Sequence, residues 1–315
     1  MTGKSRSAAA PCSTANLGPG YDVFGLALDA LEDKVKVSST SSGRSGRITI
    51  KNSDQAIPSM PESNSAGLVV KKMMQDFEIS DNTEIEVTKG VPAGYGVGSS
   101  AASAAAAAMA FNALYGLKID NNRLVEYAAE GEVASAGIKH YDNVSASLLG
   151  GFVICRVASD RTQFIRLEPP EDLVLVVAVP CLEVPKKKTE VARSVLPKMV
   201  PLKDVVHNIS GAATIVAGFA LKDVETITRG IDDVIIESAR KHLIPGYDSV
   251  KQNAISAGAL AVTISGAGPS MIAFLKTNKN AKMVAAAMAK GFKETGVESR
   301  TFVCRASKGA RLLAL

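Results

Sequence analysis

The stretch Val91-Pro92-Ala93-Gly94-Tyr95-Gly96-Val97-Gly98-Ser99-Ser100-Ala101-Ala102 decides the fold of the N-terminal half of this 315-residue chain. It follows an alternating run at residues 84–88 and opens an alanine-rich run at residues 99–114, so it predicts a strand, a glycine loop and a helix start. Closely spaced glycines let the backbone approach a ligand. A helix start presents free N–H groups and the positive end of the helix dipole. Residues 94–100 therefore predict an anion site, most plainly one for a polyphosphate.

Other interpretations of the loop differ in how well they fit the rest of the chain. A glycine-rich turn that leads into a helix can be purely structural, and this alternative stays open on the loop alone. The Walker A pattern G-x-x-x-x-G-K-[ST] does not occur in the sequence. Residues 96–101 match a loose dinucleotide pattern, but residues 122–136 predict a second helix where that fold needs a strand with an acidic end.

The whole string P-x-G-x-G-x-G-S-S-A-A resembles the ATP loop of the GHMP small-molecule kinases, with Val97 where leucine is usual. That family is named for galactokinase, homoserine kinase, mevalonate kinase and phosphomevalonate kinase. Residues 10–22, A-P-C-S-T-A-N-L-G-P-G-Y-D, resemble its N-terminal substrate motif, and residues 264–270, I-S-G-A-G-P-S, resemble its C-terminal glycine motif. The three motifs cover nearly the whole chain, so the resemblance implies an ATP-dependent phosphotransferase with an alcohol acceptor.

Within the family the sequence is most similar to the homoserine kinase branch. Its first motif reads S-T-A-N-L-G-P-G-Y-D, residues 139–144 resemble a K-H-x-D-N-V segment, and residues 189–193 resemble a T-x-x-A-R segment. This resemblance implies phosphorylation of L-homoserine to O-phospho-L-homoserine, a step in threonine biosynthesis. A mevalonate, shikimate or sugar kinase is the alternative. A metabolite sensor without turnover is a further one, although such proteins tend to lose loop or metal residues that this chain keeps.

The resemblance also implies the site residues. ATP is expected on the loop residues Pro92, Ala93, Gly94, Tyr95, Gly96, Val97, Gly98, Ser99, Ser100, Ala101 and Ala102, and Mg²⁺ on Ser100 and Glu132. Homoserine is expected on Asn16, Asp22, His140, Asn143, Thr189, Arg193, Arg240 and Gly266. The expected catalytic residues are Asp142, Asn143, Ser100 and Glu132.

Chemistry suggests a role for several of these residues. Asp22 and Asn16 can meet the ammonium and hydroxyl groups, and Arg193 and Arg240 can clamp the carboxylate bidentately. Asp142 is either the general base or a residue that orients its own turn, in which case catalysis rests on proximity and charge.

Each of these residues also has an ordinary structural interpretation. Residues 16–20 can form a tight turn, Glu130 and Glu132 can lie on a solvated helix face, and a lone arginine is most often a surface charge. The basic triple Lys186-Lys187-Lys188 can be a solvated loop or a lid that steers the polyphosphate.

The apolar pattern predicts a mixed α+β chain, and the resemblance implies the two-domain GHMP architecture. An N-terminal nucleotide-binding α/β domain is expected at residues 1–160 and a C-terminal ferredoxin-like domain at residues 161–315. Strands are predicted at residues 34–38, 47–51, 84–88 and 152–157, and helices at residues 65–77, 99–115 and 122–136. The second half reads as strand 173–179, helices 205–221, 224–238 and 248–257, strands 261–265 and 271–275, helix 281–293 and strand 299–304, close to βαββαβ.

Composition narrows the class of partner. The net charge of +5 is a mild excess, and the chain has no Trp and 5% aromatic residues, so small anionic ligands fit better than nucleic acid. The cysteines at positions 12, 155, 181 and 304 lie far apart and predict neither a zinc site nor a disulfide framework. No signal peptide or membrane segment is predicted, so we expect a cytoplasmic protein. A homodimer is compatible with this family.

Overall fold

The computed structural model describes residues 4–40, 45–52, 57–158, 162–184 and 188–314. The chain folds as two sheets, each with helices on one face and a shared core between them. The elements of the first half are β1 Ser5–Ala15, β2 Phe24–Thr40, β3 Ile48–Asn52, α1 Ser65–Asp76, β4 Asn82–Thr88, α2 Ser99–Tyr115, α3 Asn121–Ala136, α4 Asp142–Leu149, β5 Phe152–Val157 and β6 Thr162–Leu167. The rest are β7 Val174–Pro180, α5 Lys188–Ser194, α6 Leu202–Leu221, α7 Val224–Arg229, α8 Ile236–Arg240, α9 Tyr247–Ser256, β8 Ala261–Ile264, β9 Met271–Leu275, α10 Ala281–Lys293, β10 Ser299–Cys304 and β11 Arg311–Leu312.

The N-terminal sheet has seven strands among the described residues, and its long strand β2 is the centre. The main order is β11-β1-β2-β4-β3, while β5 pairs with the start of β2 and carries β6. Helices α1 to α4 cover one face, with α2 against β1 and β2. The alanine run of α2 is fully buried from Ala104 to Ala108, because side chains of one carbon let the helix pack closely on the sheet and on α1 and α3.

The C-terminal sheet is antiparallel with the order β10-β7-β9-β8. Numbered within the βαββαβ unit this order is 4-1-3-2, which confirms the predicted ferredoxin-like domain. Alternate residues of β7 serve two cores, as a period of two requires. Val174 and Val176 face α9 and α10, whereas Leu175 and Val177 join a core with Leu26 of the N-terminal sheet. The predicted α+β two-domain fold is therefore confirmed.

One predicted helix is wrong. Residues 224–238 are predicted to form a single helix, but the chain forms two helices there, α7 and α8, which residues 230–235 separate; Gly230 is the C-terminal cap of α7. The carboxylate of Asp233 then caps α8, since its Oδ1 accepts the backbone N–H groups of Ile235 at 2.8 Å and Ile236 at 2.9 Å. The break redirects the chain so that Arg240, at the end of α8, reaches the cleft described below.

The division between the domains at residue 160 stays a prediction, and the pairing of two strands bears on where it is drawn. β6 pairs with β5, and β11 pairs with β1, so both belong to the N-terminal sheet although they follow residue 160. We therefore propose that the first domain extends to Leu167 and that the C-terminal residues return to it.

In the described part of the chain, α6 alone is long and apolar enough to cross a membrane by length and composition. Its Ile215 and Phe219 side chains are buried in the core between the sheets, while Leu202, Ile209 and Leu221 are exposed. The absence of a membrane partner stays a prediction.

Phe219 of α6 stacks on Phe152 of β5, with ring centroids 3.9 Å apart and planes within 6°. We expect Phe219→Ala to lower the free energy of unfolding by about 3–5 kcal/mol, because it removes a buried ring between the two sheets. The measurement is the urea midpoint with its slope. Leu221→Ala on the same helix, at a side chain 74% exposed, is the control and should change stability by less than about 0.5 kcal/mol. Equal midpoints for Phe219→Ala and the wild type would contradict this shared core.

Candidate active site

Three motifs that are far apart in sequence meet at the junction of the two sheets. The Gly266 amide donates to the Ala15 carbonyl at 3.2 Å, and the Ser270 amide donates to the Tyr95 carbonyl at 3.2 Å. The Ser265 hydroxyl donates to the Gly96 carbonyl at 2.8 Å. These contacts surround a cleft of about 370 Å³, which we call the junction cleft. The predicted residues that line it are Asn16, Asp22, Ala93, Gly94, Gly96, Gly98, Ser99, Ser100, Glu132, His140, Asp142, Asn143, Thr189, Arg193, Arg240 and Gly266.

The glycine loop adopts the backbone that its composition predicts. Gly94, Gly96 and Gly98 have φ of +88°, +79° and +69°, and Gly98 is the N-terminal cap of α2. A Cβ on Gly96 would lie 2.6 Å from the Gly268 carbonyl, and one on Gly98 would overlap the Ser13 hydroxyl. The glycines are thus required by the protein's own packing, before any ligand is considered.

Five predicted loop residues do not line the junction cleft. The side chains of Val97, Ala101 and Ala102 are buried in the core. The Tyr95 hydroxyl donates to the Leu182 carbonyl at 2.8 Å. Pro92 is also absent from the lining of the junction cleft. We therefore expect any contact between these five residues and a nucleotide to come from the backbone.

A buried ion pair beneath the loop was missed from the sequence. Lys89 pairs with the fully buried Asp33 and also donates to the Ser99 hydroxyl at 2.7 Å and the Ser103 hydroxyl at 3.0 Å. Asp33 in turn accepts the Gly90 amide at 2.9 Å. This pair fixes the entry to the loop and the first turn of α2. The position of Lys89 directly before the loop marks Lys89 itself as a candidate, but Asp33, inside β2, gives no signal that it is the partner.

At the base of the junction cleft lie two buried carboxylates. The Ser100 hydroxyl donates to Glu132 Oε1 at 2.6 Å. Burial raises the pKa of Glu132 to about 7, and the neighbouring Asp142 adds to the rise. Burial also raises the pKa of Asp142 to about 6, with Asp22 contributing. Asp142 Oδ1 accepts the Asn143 amide at 2.7 Å. Two buried carboxylates whose pKa values are raised suit a cation or a proton at this place.

Asp22 and Arg193 face each other at the other end of the junction cleft. Nη2 of Arg193 donates to both oxygens of Asp22, at 2.9 and 2.7 Å, and lies 3.2 Å from His140 Nδ1. Burial and Arg193 lower the pKa of His140, so its ring is neutral near pH 7 and Nδ1 accepts from the guanidinium. Its Nε2 is buried and has no hydrogen-bond partner within the described ranges.

Arg240 is buried beside this pair. Its Nε donates to the Ala192 carbonyl at 2.9 Å, and its Nη1 lies 3.4 Å from the Gly266 carbonyl. The guanidinium groups of Arg193 and Arg240 lie 5.5 and 5.1 Å from the centre of the Tyr21 ring, so one aromatic ring positions both arginines. The sequence shows Tyr21 within a motif but gives no sign of this role.

The N-terminal motif is both a turn and part of the site. Asn16, Leu17 and Asp22 have φ of +73°, +49° and +58°, which is uncommon for residues other than glycine. Asn16 Nδ2 donates to the Gly266 carbonyl at 2.9 Å, and its Oδ1 accepts the Asp22 amide at 3.1 Å. A strained backbone of this kind persists where surrounding contacts stabilise it. Here the contacts of Asn16 stabilise the turn that places Asp22 beside Arg193.

The remaining predicted residues complete the walls. Asn143 Oδ1 accepts the Ser13 hydroxyl at 2.9 Å, which ties α4 to β1. Thr189 lines the junction cleft from α5, the helix that also carries Arg193. Glu130 points away and pairs with Lys139 at 2.8 Å. Lys186 and Lys187 lie outside the described residues, whereas Lys188 is the first residue of α5.

The donor set at Ser100 and Glu132 fits a hard cation shared with phosphate. Among the described residues no group of three or more His, Cys, Asp or Glu could hold a metal alone. A hydroxyl and a carboxylate whose oxygens are 2.6 Å apart supply two oxygen ligands, and a bound polyphosphate would have to supply others. Mg²⁺ is commonly held in this way.

Glu132→Gln should make the protein more stable at alkaline pH. Because the folded-state pKa is raised from about 4.5 to about 7, the native state loses stability as the pH rises through that window. Glutamine mimics the protonated carboxyl. The free energy of unfolding of Glu132→Gln, relative to the wild type, should therefore be about 2 kcal/mol higher at pH 8 than at pH 5. The measurement is urea unfolding at both pH values. Glu130→Gln on the same helix, which breaks a surface pair, should lower stability by less than about 1 kcal/mol. A Glu132→Gln protein less stable than the wild type at pH 8 would contradict the assignment.

Comparison with known proteins is consistent with this geometry. The model of the GHMP kinases N terminal domain matches residues 64–151, which contain the glycine loop and Glu132. The model of the GHMP kinases C terminal domain matches residues 215–294, which contain Arg240 and the C-terminal glycine motif.

Relatives match over nearly the full chain. A homoserine kinase of Thermoplasma volcanium is 38% identical over 308 residues, covering 98% of this chain and 96% of the relative. One of Methanopyrus kandleri is 42% identical over 275 residues, covering 87% and 88%. The crystal structure of homoserine kinase from Cytophaga hutchinsonii has a TM-score of 0.91 at 36% identity, with 98% of each chain covered. Mevalonate diphosphate decarboxylase from Staphylococcus aureus has a TM-score of 0.75 at 17% identity, which shows a common fold alone. This chain belongs to the GHMP kinase family, and within it to the homoserine kinases.

Proposed function

We propose that this protein transfers the γ-phosphoryl group of ATP to the side-chain hydroxyl of L-homoserine, giving ADP and O-phospho-L-homoserine for threonine biosynthesis. One observation carries the proposal: the anion loop at the start of α2 and the Asp22–Arg193 pair open into the same cleft. The names of the relatives from Thermoplasma volcanium and Methanopyrus kandleri support the same acceptor. A cytoplasmic location and a homodimer belong to this proposal as expectations.

The nucleotide end uses backbone groups and a helix dipole. The amides of residues 94–100 and the start of α2 bind the phosphates of ATP, as helix N-termini do for anions. Ser100 and Glu132 would hold Mg²⁺ beside the phosphates. When bound there, Mg²⁺ would supply neutralisation of the phosphate charge. The raised pKa of Glu132 is expected to fall when the cation binds.

The amino-acid end recognises a zwitterion. In the free protein Asp22 and Arg193 form an ion pair with each other. This pairing offsets the free-energy cost of removing each charge from water. Homoserine replaces this contact, because its ammonium pairs with Asp22 and its carboxylate pairs with Arg193 and Arg240. Asn16, His140, Asn143, Thr189 and Gly266 supply the remaining polar contacts to the substrate.

The hydroxyl of homoserine lies between the two ends. The oxygen attacks the γ-phosphorus as the bond to the ADP oxygen breaks, and its proton must leave. Asp142 lines the junction cleft with residues of both ends, and its pKa of about 6 leaves it ionised and able to accept that proton near neutral pH. Asn143 holds the carboxylate in place through its amide. Positioning of the two reactants supplies most of the acceleration.

The purified protein should release ADP from Mg-ATP in the presence of L-homoserine, and mass spectrometry should find O-phospho-L-homoserine. Mevalonate, shikimate and galactose should give at least ~30-fold lower kcat/KM, because none of them offers both an ammonium for Asp22 and a carboxylate for Arg193. Protein with Asp142→Asn is the matched background control: we expect it to lose most turnover, and its circular dichroism spectrum should match that of the wild type. Turnover of one of the other alcohols without homoserine-dependent ADP release would overturn the proposal, and nucleotide binding with no turnover of any alcohol would favour a sensor.

A further inference from the structure

Lys188 lines the junction cleft but has no part in the nucleotide loop or in the amino-acid site described above. It begins α5, the helix that carries Thr189 and Arg193, and it lines the junction cleft with Gly94 and Gly96. Its ammonium donates to the carbonyl of Gly268 in the C-terminal glycine motif. That carbonyl lies against the phosphate loop, since a Cβ on Gly96 would come within 2.6 Å of it. The Gly268 carbonyl therefore lies between the Lys188 ammonium and Gly96, in the middle of the glycine loop.

The side chains of the other lysine and arginine residues that line the junction cleft already have partners within the protein. Lys89 pairs with Asp33, and Arg193 pairs with Asp22. Arg240 donates to a backbone carbonyl and lies over the Tyr21 ring. For Lys188, no ion pair with a carboxylate is found in the described part of the chain, and its hydrogen bond goes to a neutral carbonyl.

The surroundings of Lys188 disfavour its positive charge. Burial lowers the pKa of Lys188 to about 7, and the nearby Arg240 lowers it further. A partly buried ammonium without a counter-charge is unfavourable unless an anion arrives. The anion that the adjoining loop would hold is a polyphosphate, so its terminal phosphate can supply the missing charge.

We propose that Lys188 binds the γ-phosphate of ATP and follows the phosphoryl group as it moves to the acceptor hydroxyl. The inference rests on the proposed function for the identity of that acceptor, but the contact with the nucleotide does not depend on it. As the bond from phosphorus to the ADP oxygen breaks and the bond to the homoserine oxygen forms, Lys188 donates hydrogen bonds to the equatorial oxygens. It neither gives nor takes a proton. ADP, which lacks this phosphate, makes no such contact.

The test compares the affinities of two nucleotides in one variant. Calorimetry with Mg²⁺ measures the Kd of ADP and of an ATP analogue whose β–γ bridge is an imido group. Lys188→Met should weaken the analogue at least ~10-fold while ADP stays within ~2-fold, because only the analogue loses a charge-assisted hydrogen bond. Homoserine-dependent kcat should fall at least ~30-fold. Lys188→Arg keeps the charge and should recover part of both losses. Lys198→Met, at an exposed lysine ten positions later, is the control and should change neither.

The outcomes separate this inference from the proposed function. Unchanged ADP binding in Lys188→Met shows that the nucleotide site is folded, so a selective loss of the analogue supports the γ-phosphate contact. Equal weakening of both nucleotides, or of neither, overturns it. If the wild-type protein shows no homoserine-dependent turnover, the proposed acceptor is wrong, while the ratio of the two affinities still decides the role of Lys188.

Discussion

Hydrogen bonds between three sequence motifs hold the two sheets of this protein around one cleft. The Ser265 hydroxyl donates to the Gly96 carbonyl and lies 2.9 Å from the Thr14 hydroxyl, so one side chain joins the C-terminal motif to both others. Any side chain on Gly96 would meet backbone of the C-terminal motif, which is why the loop requires glycine there. The nucleotide and amino-acid ends of the site are thereby fixed at one distance, as proximity catalysis needs.

Charge in the cleft is arranged around ligands that bring opposite charges. Glu132 and Asp142 are carboxylates whose pKa values burial raises, and Lys188 is an ammonium whose pKa burial lowers. Asp22 and Arg193, by contrast, satisfy each other. Under the proposed function, the charges of the first group would be stabilised when Mg²⁺ and phosphate bind, whereas Asp22 and Arg193 would exchange one ion pair for two. Stability and function would therefore oppose each other at the proposed metal site but not at the proposed amino-acid site.

The sequence predicts the features that follow from local pattern. The glycine loop, the start of α2 and the βαββαβ order of the C-terminal half can be read from spacing, and the three motifs indicate their common site by resemblance. The Lys89–Asp33 pair could not be predicted, because its partners are 56 positions apart and Asp33 resembles any charged residue in a strand. The break between α7 and α8 was missed because Asp233 caps the second helix inside an apolar repeat. The pKa shifts of Glu132 and Asp142 depend on burial, which only the fold supplies.

The claim that a zwitterion replaces the Asp22–Arg193 pair is tested most directly by comparing L-homoserine with 4-hydroxybutanoate, which lacks the amine. The measurement is the ratio of kcat/KM for the two alcohols in the wild type and in Asp22→Asn. The wild type should prefer homoserine by at least ~30-fold, and Asp22→Asn should lose most of that preference, because the ammonium then has no anionic partner. A preference of the same size in both proteins would show that the amine is bound elsewhere and would contradict this account.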